Sequence, residues 1–283
     1  MIKAVLTPYQ YFWRKCAILL VIAAVMFPAH SFAMNYATGS TQPDGFLLNL
    51  YPFWYTANKI TDKNGNAAVD KLGLDKYGVQ IGGNYYAGSF LFNTVIPVGN
   101  LDVGAVHDSD VGLGDIQLRV GRFLPIESVT ILPVLMLKAP TGSYDKSRPV
   151  NFGDGQTDLA AELYFFKLFG LFSLDALARY TIRFHNTNSD TTPGNELALE
   201  GLATLRLADK VRIGPAINFV VGGDRKKGGN VVQDSGLMRL SAGGEIYYGR
   251  DSRVRVSLAV YKDVLTRNTN EGMLVMSRIS ILF

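Results

Sequence analysis

Four aspartates lie close together in the chain and could offer hard oxygen ligands to a cation such as calcium. They are Asp102, Asp108, Asp110 and Asp115. Their spacing matches no calcium-binding loop, so the pattern favours solvated loop charges over a metal site. No glycine-rich phosphate loop precedes a helical pattern anywhere in the chain, so nothing indicates nucleotide binding. We therefore expect no metal and no other cofactor.

The stretch HDSD places His107 and Ser109 two residues apart, so on a strand their side chains would point the same way. A histidine can activate a serine hydroxyl as a nucleophile, and outer-membrane phospholipases and lipid A deacylases carry a similar His-x-Ser pattern. The Asn-Gly that follows the serine in the phospholipases is replaced here by Asp110 and Val111, and no third orienting group is evident. We expect no catalytic residues and no enzyme activity.

Charged side chains recur at every second position of extended segments. In FSLDALARYTIRF, residues 172–184, apolar residues alternate with a set that includes Asp175, Arg179 and Arg183. A strand separates the two sets onto opposite faces, whereas a helix would mix them around its circumference. The polar face is too charged for the core of a soluble protein, which indicates a membrane barrel with a polar interior.

The same alternation predicts twelve strands along the chain. They cover residues 46–57, 76–86, 89–98, 114–123, 129–139, 158–167, 172–184, 196–207, 211–222, 237–248, 253–263 and 272–283. Short turns alternate with long polar connections at 58–75, 99–113, 140–157, 185–195, 223–236 and 264–271. Lipid leaves no water for a strand edge, so the last strand must pair with the first. We predict an all-β fold, a single transmembrane antiparallel β-barrel with both termini on the periplasmic side; a soluble sandwich or lectin is the alternative.

The first residues have the layout of a secretory signal. Basic residues precede the apolar run at 17–27 and the small residues Ser31 and Ala33, so we predict a signal peptide over 1–33 that is cleaved after Ala33. The alternative, a membrane anchor, needs about 20 apolar residues. A short periplasmic segment, 34–45, would then precede a barrel at 46–283. Removing three basic residues lowers the net charge from +4 to about +1, so nucleic acid is not an expected partner.

The chain ends on an aromatic residue with apolar residues at alternate positions before it. Phe283, Ile281 and Ile279 therefore resemble the signal by which outer-membrane proteins are delivered to the barrel-assembly machinery. We expect this face of the last strand to contact lipid. Six tyrosines near strand ends are predicted to form interfacial girdles. These are Tyr51, Tyr55, Tyr85, Tyr247, Tyr248 and Tyr261.

If the apolar faces meet lipid, the inward side chains form a set rich in arginine and carboxylate. The charged candidates for the lumen lining are Arg119, Glu162, Asp175, Arg179, Arg183, Glu200, Arg206, Arg239, Glu245, Arg255 and Arg278, and further members are Asn49, Gln80, Asn84, Gln117, Arg212 and Asn218. These charges either pair across the lumen and make it rigid, or form a conduit whose excess of arginine favours anionic or aromatic solutes.

Apolar residues also fall on the inward face. Leu132, Val134 and Met136 do so on one strand, and Tyr164 and Phe166 do so on the next. Proline in a strand often marks a bulge, so we expect the register to shift at Pro133; an apolar inner patch is the alternative.

Three stretches together resemble a known family. They are LNLYPFWYTANKITDKNG, DVGLGDIQLRVGRF and LKAPTGSYDKSRPVNFGDGQTDLAAELYFF. All three are similar to the meta-pathway phenol degradation family of outer-membrane barrels, which are described as transporters. The resemblance implies uptake of hydrophobic compounds and supplies no catalytic residues.

We therefore predict a porin-like channel in the bacterial outer membrane for passive uptake of small hydrophobic or aromatic solutes. A closed structural or adhesive barrel, whose long loops bind a surface partner, is the alternative. The expected surroundings are outer-membrane lipids and lipopolysaccharide, whose phosphates the basic loop GGDRKKGGN could contact.

Overall fold

The computed structural model describes residues 44–124, 126–249 and 252–283. The predicted signal peptide at 1–33 and nearly all of the predicted periplasmic segment at 34–45 lie outside the described residues. Within the described ranges, no helix is long and apolar enough to cross a membrane.

Strands make up most of the described chain. They are β1 (Gly45–Thr61), β2 (Ala67–Ala87), β3 (Phe90–Val103), β4 (Asp108–Leu113), β5 (Ile116–Arg122), β6 (Thr130–Ala139), β7 (Asp158–Phe169), β8 (Phe172–Arg183), β9 (Thr191–Thr192), β10 (Glu196–Ala208), β11 (Val211–Gly222), β12 (Lys226–Lys227), β13 (Asn230–Val231), β14 (Met238–Tyr248), β15 (Val254–Arg267) and β16 (Asn270–Leu282). A single turn of 3-10 helix, Gly104–Val106, follows β3.

The large sheet closes into a ring of antiparallel strands. Apart from β4 and β5, each strand of this sheet pairs with the next one along the chain, and β1 also pairs with β16. Successive halves of β3 pair with β4 and β5, so these two short strands together occupy one place in the wall. The described residues thus form the predicted twelve-stranded barrel.

The two ends of this barrel differ. One, which we call the short-turn end, carries Gly45, Phe283 and tight connections such as 88–89, 170–171 and 209–210. The opposite, long-loop end carries the loops 140–157, 184–195 and 223–237, and in the last two loops β9, β12 and β13 form a small separate sheet.

Three of the predicted long loops are mostly strand. Residues 58–75 contain the end of β1 and the start of β2, residues 99–113 contain β4, and β15 and β16 are separated by only two residues. Beyond the hydrocarbon layer a paired strand can carry polar residues on both faces, so alternation no longer marks it. The short turn between β1 and β2 is held by Asp62, whose carboxylate accepts the backbone N–H groups of Asn64 and Asn66.

Large apolar side chains cover the outside of the ring. Trp54, Phe92, Leu163, Ile217 and Leu258 are examples from five different strands, and all are exposed. The girdle prediction holds for Tyr85 and Tyr248, which are also exposed. It is wrong for the other four tyrosines, which are buried because they alternate with the lipid-facing residues of their strands. These four are Tyr51, Tyr55, Tyr247 and Tyr261.

The last strand closes the ring at its final residue. The backbone N–H of Phe283 donates to the carbonyl oxygen of Phe46 at 2.9 Å, and the two rings lie 6.3 Å apart. Ile279 and Phe283 are exposed, whereas Ile281 is only half-buried. The end of the chain therefore forms part of the seam between the first and last barrel strands.

We predict that Phe283→Asp impairs barrel assembly strongly. A charge near the membrane interface costs up to about 1 kcal/mol, the seam loses its terminal ring contact, and the C-terminal pattern expected to direct assembly is interrupted. Heat-modifiable gel migration of membrane-extracted protein measures assembly. Val231→Asp, at another exposed apolar residue but in the outer small sheet, is the matched control and should assemble normally. Equal assembly of the two variants would contradict the proposed role of the terminus.

Candidate functional site

Ion pairs connect four of the predicted lumen residues across β5, β7, β8 and β10. The Glu162 carboxylate lies 3.3 Å from Arg119 Nε and 2.7 Å from Arg179 Nε. Arg179 also lies 4.0 Å from Glu200. All four side chains are buried. Because Glu162 and Arg179 are direct cross-strand partners, the register of the sheet itself positions this pair.

A second group of paired charges lies nearer the long-loop end. Lys138 Nζ lies 2.7 Å from both Asp154 and Asp158. Arg183 lies 2.7 Å from Glu196 and 3.5 Å from Asp158. The carboxylate of Asp158 therefore joins three strands, since Lys138 and Arg183 are its partners on β6 and β8.

The wall formed by β11, β14, β15 and β16 carries the other predicted charges. Arg239, Glu245, Arg255 and Arg278 are all buried there. The Arg278 guanidinium lies 5.3 Å from the centre of the Tyr247 ring. The last two predicted lumen charges differ in burial. Asp175 is buried on β8, whereas Arg206 is exposed beside the short turn at 209–210.

Acidic and basic side chains are nearly equal in number inside the described barrel. Seven arginines or lysines and eight carboxylates are buried. Arg183 is a further base whose side chain is only 10% exposed. The interior therefore lacks the excess of arginine that the sequence pattern suggested. The near-complete burial of these side chains also means that other protein atoms, rather than a wide column of water, surround them.

Several interior charges were missed in the sequence. They are Asp115, Lys138, Asp158, Glu196 and Asp263. All five lie at strand ends or beside predicted loops. The signal was present nonetheless, because Asp158 and Glu196 have the same alternation as Glu162 and Glu200 on their own strands.

Apolar side chains fill the interior near the short-turn end. Leu132, Val134, Tyr164 and Phe166 are buried in one cluster with residues of four other strands. The expected bulge at Pro133 is wrong, because β6 pairs with β5 and with β7 without any shift of register. Pro133 lies between the last β5–β6 pair and the isolated bridge Leu124–Ile131, which keeps the same register, so the proline interrupts the ladder without shifting it. The alternative, an apolar inner patch, is what the structure contains.

A second apolar cluster extends from the middle of the barrel towards the long-loop end. Tyr51, Tyr55, Tyr261 and Met276 contribute to it from the strands. Val150 and Phe152 join it from the loop 140–157 and are almost completely buried. This loop therefore folds into the barrel interior.

Three of the four clustered aspartates hold this loop in place. Arg148 of the loop lies 2.6 Å from Asp108 and 3.1 Å from Asp110, and it also bonds the carbonyl of Ser109. Asp115 accepts the backbone N–H groups of Gly142 and Asp154. The hydrogen bond to Asp108 raises the pKa of the Arg148 guanidinium above its ordinary value. The expectation of merely solvated charges is thus wrong, and in the described residues no group of three or more acidic, histidine or cysteine side chains could hold a metal.

The inner wall carries a glycine, Gly99, where the loop 140–157 packs against it. A Cβ at Gly99 would lie 2.9 Å from the Phe152 ring and would collide with the backbone of the neighbouring strand. Lys76 Nζ lies 4.6 Å from the centre of the same ring. Glycine at this position lets the wall approach the aromatic ring closely.

The HDSD stretch belongs to the support of this loop. His107 and Ser109 are exposed, while the flanking Asp108 and Asp110 bind Arg148. His107 has φ 53°, so it lies in a left-handed turn and not on a strand beside Ser109.

Sequence comparison identifies the group to which this barrel belongs. The model of the family described as "Putative MetA-pathway of phenol degradation" matches residues 57–279. The chain belongs to this family. No curated protein shows significant sequence similarity to it.

Solved structures align with this chain at low sequence identity, and the first of them shares its fold. The COG4313 outer membrane channel from Pseudomonas putida F1 is 13% identical, with a TM-score of 0.80 over 88% of this chain and 98% of that chain. The KdgM porin is 10% identical, with a TM-score of 0.49 over 83% and 99% of the two chains. The P. putida toluene transporter TodX is 11% identical, with a TM-score of 0.41 over 86% and 91%.

The location of the protein follows from its architecture. A closed antiparallel barrel whose outer surface is apolar is the form in which proteins cross the bacterial outer membrane. The family member described above is therefore an outer-membrane barrel, with its charges and part of its apolar residues turned inward.

We predict that Asp110→Asn loosens the loop 140–157. Asp110→Asn removes the ion pair with Arg148 and weakens the hydrogen bond from the Phe152 backbone. The free energy that holds the loop inside the barrel should fall by about 1 kcal/mol, so the fraction of molecules with a detached loop rises about fivefold. Trypsin cleavage after the exposed Lys146 measures opening, since the loop sequence is unchanged. Asp102→Asn, at an exposed aspartate of β3, should leave the cleavage rate as it is. Equal rates in both variants would show that Asp110 does not hold the loop.

Proposed function

We propose that the protein is a passive outer-membrane channel for small hydrophobic or aromatic solutes. The observation that carries this proposal is the composition of the interior, where two apolar clusters accompany charges that nearly cancel. Aromatic and aliphatic walls give an apolar solute favourable contacts. Balanced charges give no general attraction for anions or cations.

The ion pairs serve this function by keeping the interior rigid. A buried charge that lost its partner would be strongly destabilising, so Glu162 and its two arginines stay in place. A solute then meets fixed apolar walls instead of mobile charged side chains. Membership of a family named for phenol degradation, and a fold shared with an outer membrane channel, support the same function.

The proposal includes the orientation and the partners that are expected of such barrels. Residues 1–33 would direct export and be removed, and residues 34–45 would remain in the periplasm. Phe283, Ile281 and Ile279 would be recognised by the assembly machinery. Lys226 and Lys227 are exposed in the outer small sheet, where they could contact lipopolysaccharide phosphates. No part of this function requires a cofactor.

A closed structural barrel is the second candidate. The burial of nearly every interior charge favours it, because a wide channel would leave such side chains in contact with water. In that case the outer sheet of β9, β12 and β13 would be the surface that binds a partner.

We predict that Ala216→Trp reduces solute uptake roughly tenfold, a difference of about 1.4 kcal/mol. Ala216 is buried in the central apolar cluster, so an indole there narrows the interior. Initial uptake of labelled toluene by cells that lack other channels is the measurement. Ile217→Trp, one residue further and exposed to lipid, is the matched control and should retain full uptake. If cells with and without the protein take up toluene equally, the closed-barrel candidate replaces the channel.

A further inference from the structure

Glu245 differs from most buried carboxylates inside the barrel. Its side chain is only 3% exposed, and among the described residues neither carboxylate oxygen accepts a hydrogen bond of normal geometry. Arg278 acts on it electrostatically, and the Ser257 hydroxyl lies close by. Burying a carboxylate whose oxygens accept no well-formed hydrogen bond is costly, so a further donor would stabilise it.

Other interior carboxylates have partners in the protein. Glu162 bonds two arginines and the Tyr164 hydroxyl. Asp263 accepts hydrogen bonds from Tyr55, Ser241 and the backbone N–H of Gly272. In these two cases the donors are within hydrogen-bond distance, whereas Arg278 and Ser257 approach Glu245 without forming a hydrogen bond of normal geometry.

The surroundings of Glu245 are small. Its direct partners on β11 and β15 are Gly214 and Ala259, and Gly243 precedes it on the inward face of β14. A Cβ at Gly214 would collide with the backbone of Ala203, and one at Gly243 would collide with that of Val260. Because the strands approach closely here, both positions require glycine. The wall beside the carboxylate therefore carries no side chain at these two positions.

Glu245 also lies at a boundary between polar and apolar rows of the wall. The row on its short-turn side consists of Arg212, Tyr247, Ser257 and Arg278. The row on its other side consists of Ala216, Gly243, Tyr261 and Leu274. In its own row, Ala259 and Met276 continue the apolar surface. A ligand here would meet one acceptor at the edge of an apolar surface.

We propose that Glu245 is the polar contact of a binding subsite for apolar solutes that carry a hydroxyl group. The solute O–H donates to the vacant carboxylate oxygens, and its apolar body lies over Ala259, Tyr261 and Met276. A hydrogen bond to a charged acceptor is among the stronger kinds, so the subsite distinguishes an alcohol from its methyl ether. This inference rests on the proposed channel function and adds a specificity-determining residue to it.

The test compares uptake of matched alcohol and ether pairs by cells that carry the protein. Cyclohexanol with methoxycyclohexane, and p-cresol with 4-methylanisole, differ in the donor but little in apolar body. Glu245→Leu should lower the alcohol-to-ether uptake ratio about tenfold through slower alcohol uptake, while ether uptake stays the same. Glu245→Gln, which keeps one acceptor oxygen, should give an intermediate ratio.

Glu127→Leu is the matched control, because it makes the same substitution at an exposed glutamate outside the barrel interior. Its ratio should equal that of the unaltered protein, and heat-modifiable migration verifies that all variants fold. An unchanged ratio in Glu245→Leu, or an equal fall in Glu127→Leu, would overturn the subsite and leave the channel standing. Uptake of neither solute by the unaltered protein would overturn the channel and the subsite together.

Discussion

The need to pair every backbone N–H and C=O group inside a lipid layer governs this structure. Hydrocarbon offers no substitute for a missing strand, so the sheet must end where it began, at the seam between β1 and β16. Closure divides each strand into a lipid-facing and an inward set of side chains. The interior then has to accommodate charges that no solvent layer covers. The ion pairs, the buried tyrosines and the inward loop 140–157 all follow from that requirement.

The lipid-facing surface was predictable because membrane contact demands strict alternation of side chains. This alternation located all twelve strands of the barrel wall. The strand ends were not predictable, because β1, β2 and β15 continue beyond the lipid layer, where the outer face meets water and carries polar residues, so the pattern disappears. Pro133 was misjudged for a local reason, since a missing N–H can interrupt pairing at one position while the same register resumes beyond it. The loop contacts of Arg148 join residues about forty positions apart, and no spacing rule in a single sequence connects them.

The candidate site was only partly accessible to sequence reasoning for a similar reason. Alternation correctly indicates that Glu162 and Glu245 belong to the same class of position, and both are buried. It cannot indicate which of them meets arginines and which meets glycines, because that depends on the register between strands. The difference between a satisfied and a vacant carboxylate therefore appears only once Gly214 and Ala259 are seen beside Glu245.

The near-equality of buried acids and bases affects how the barrel responds to its ionic surroundings. Fixed charge inside the periplasm sets up a Donnan potential across the outer membrane, and a strongly charged pore concentrates or excludes ions according to its sign. An interior whose charges cancel has little net charge for such a potential or for added salt to act on. A bacterium that moves between dilute and salty water could thus change the potential across its envelope while this barrel continued to present the same interior to a neutral molecule.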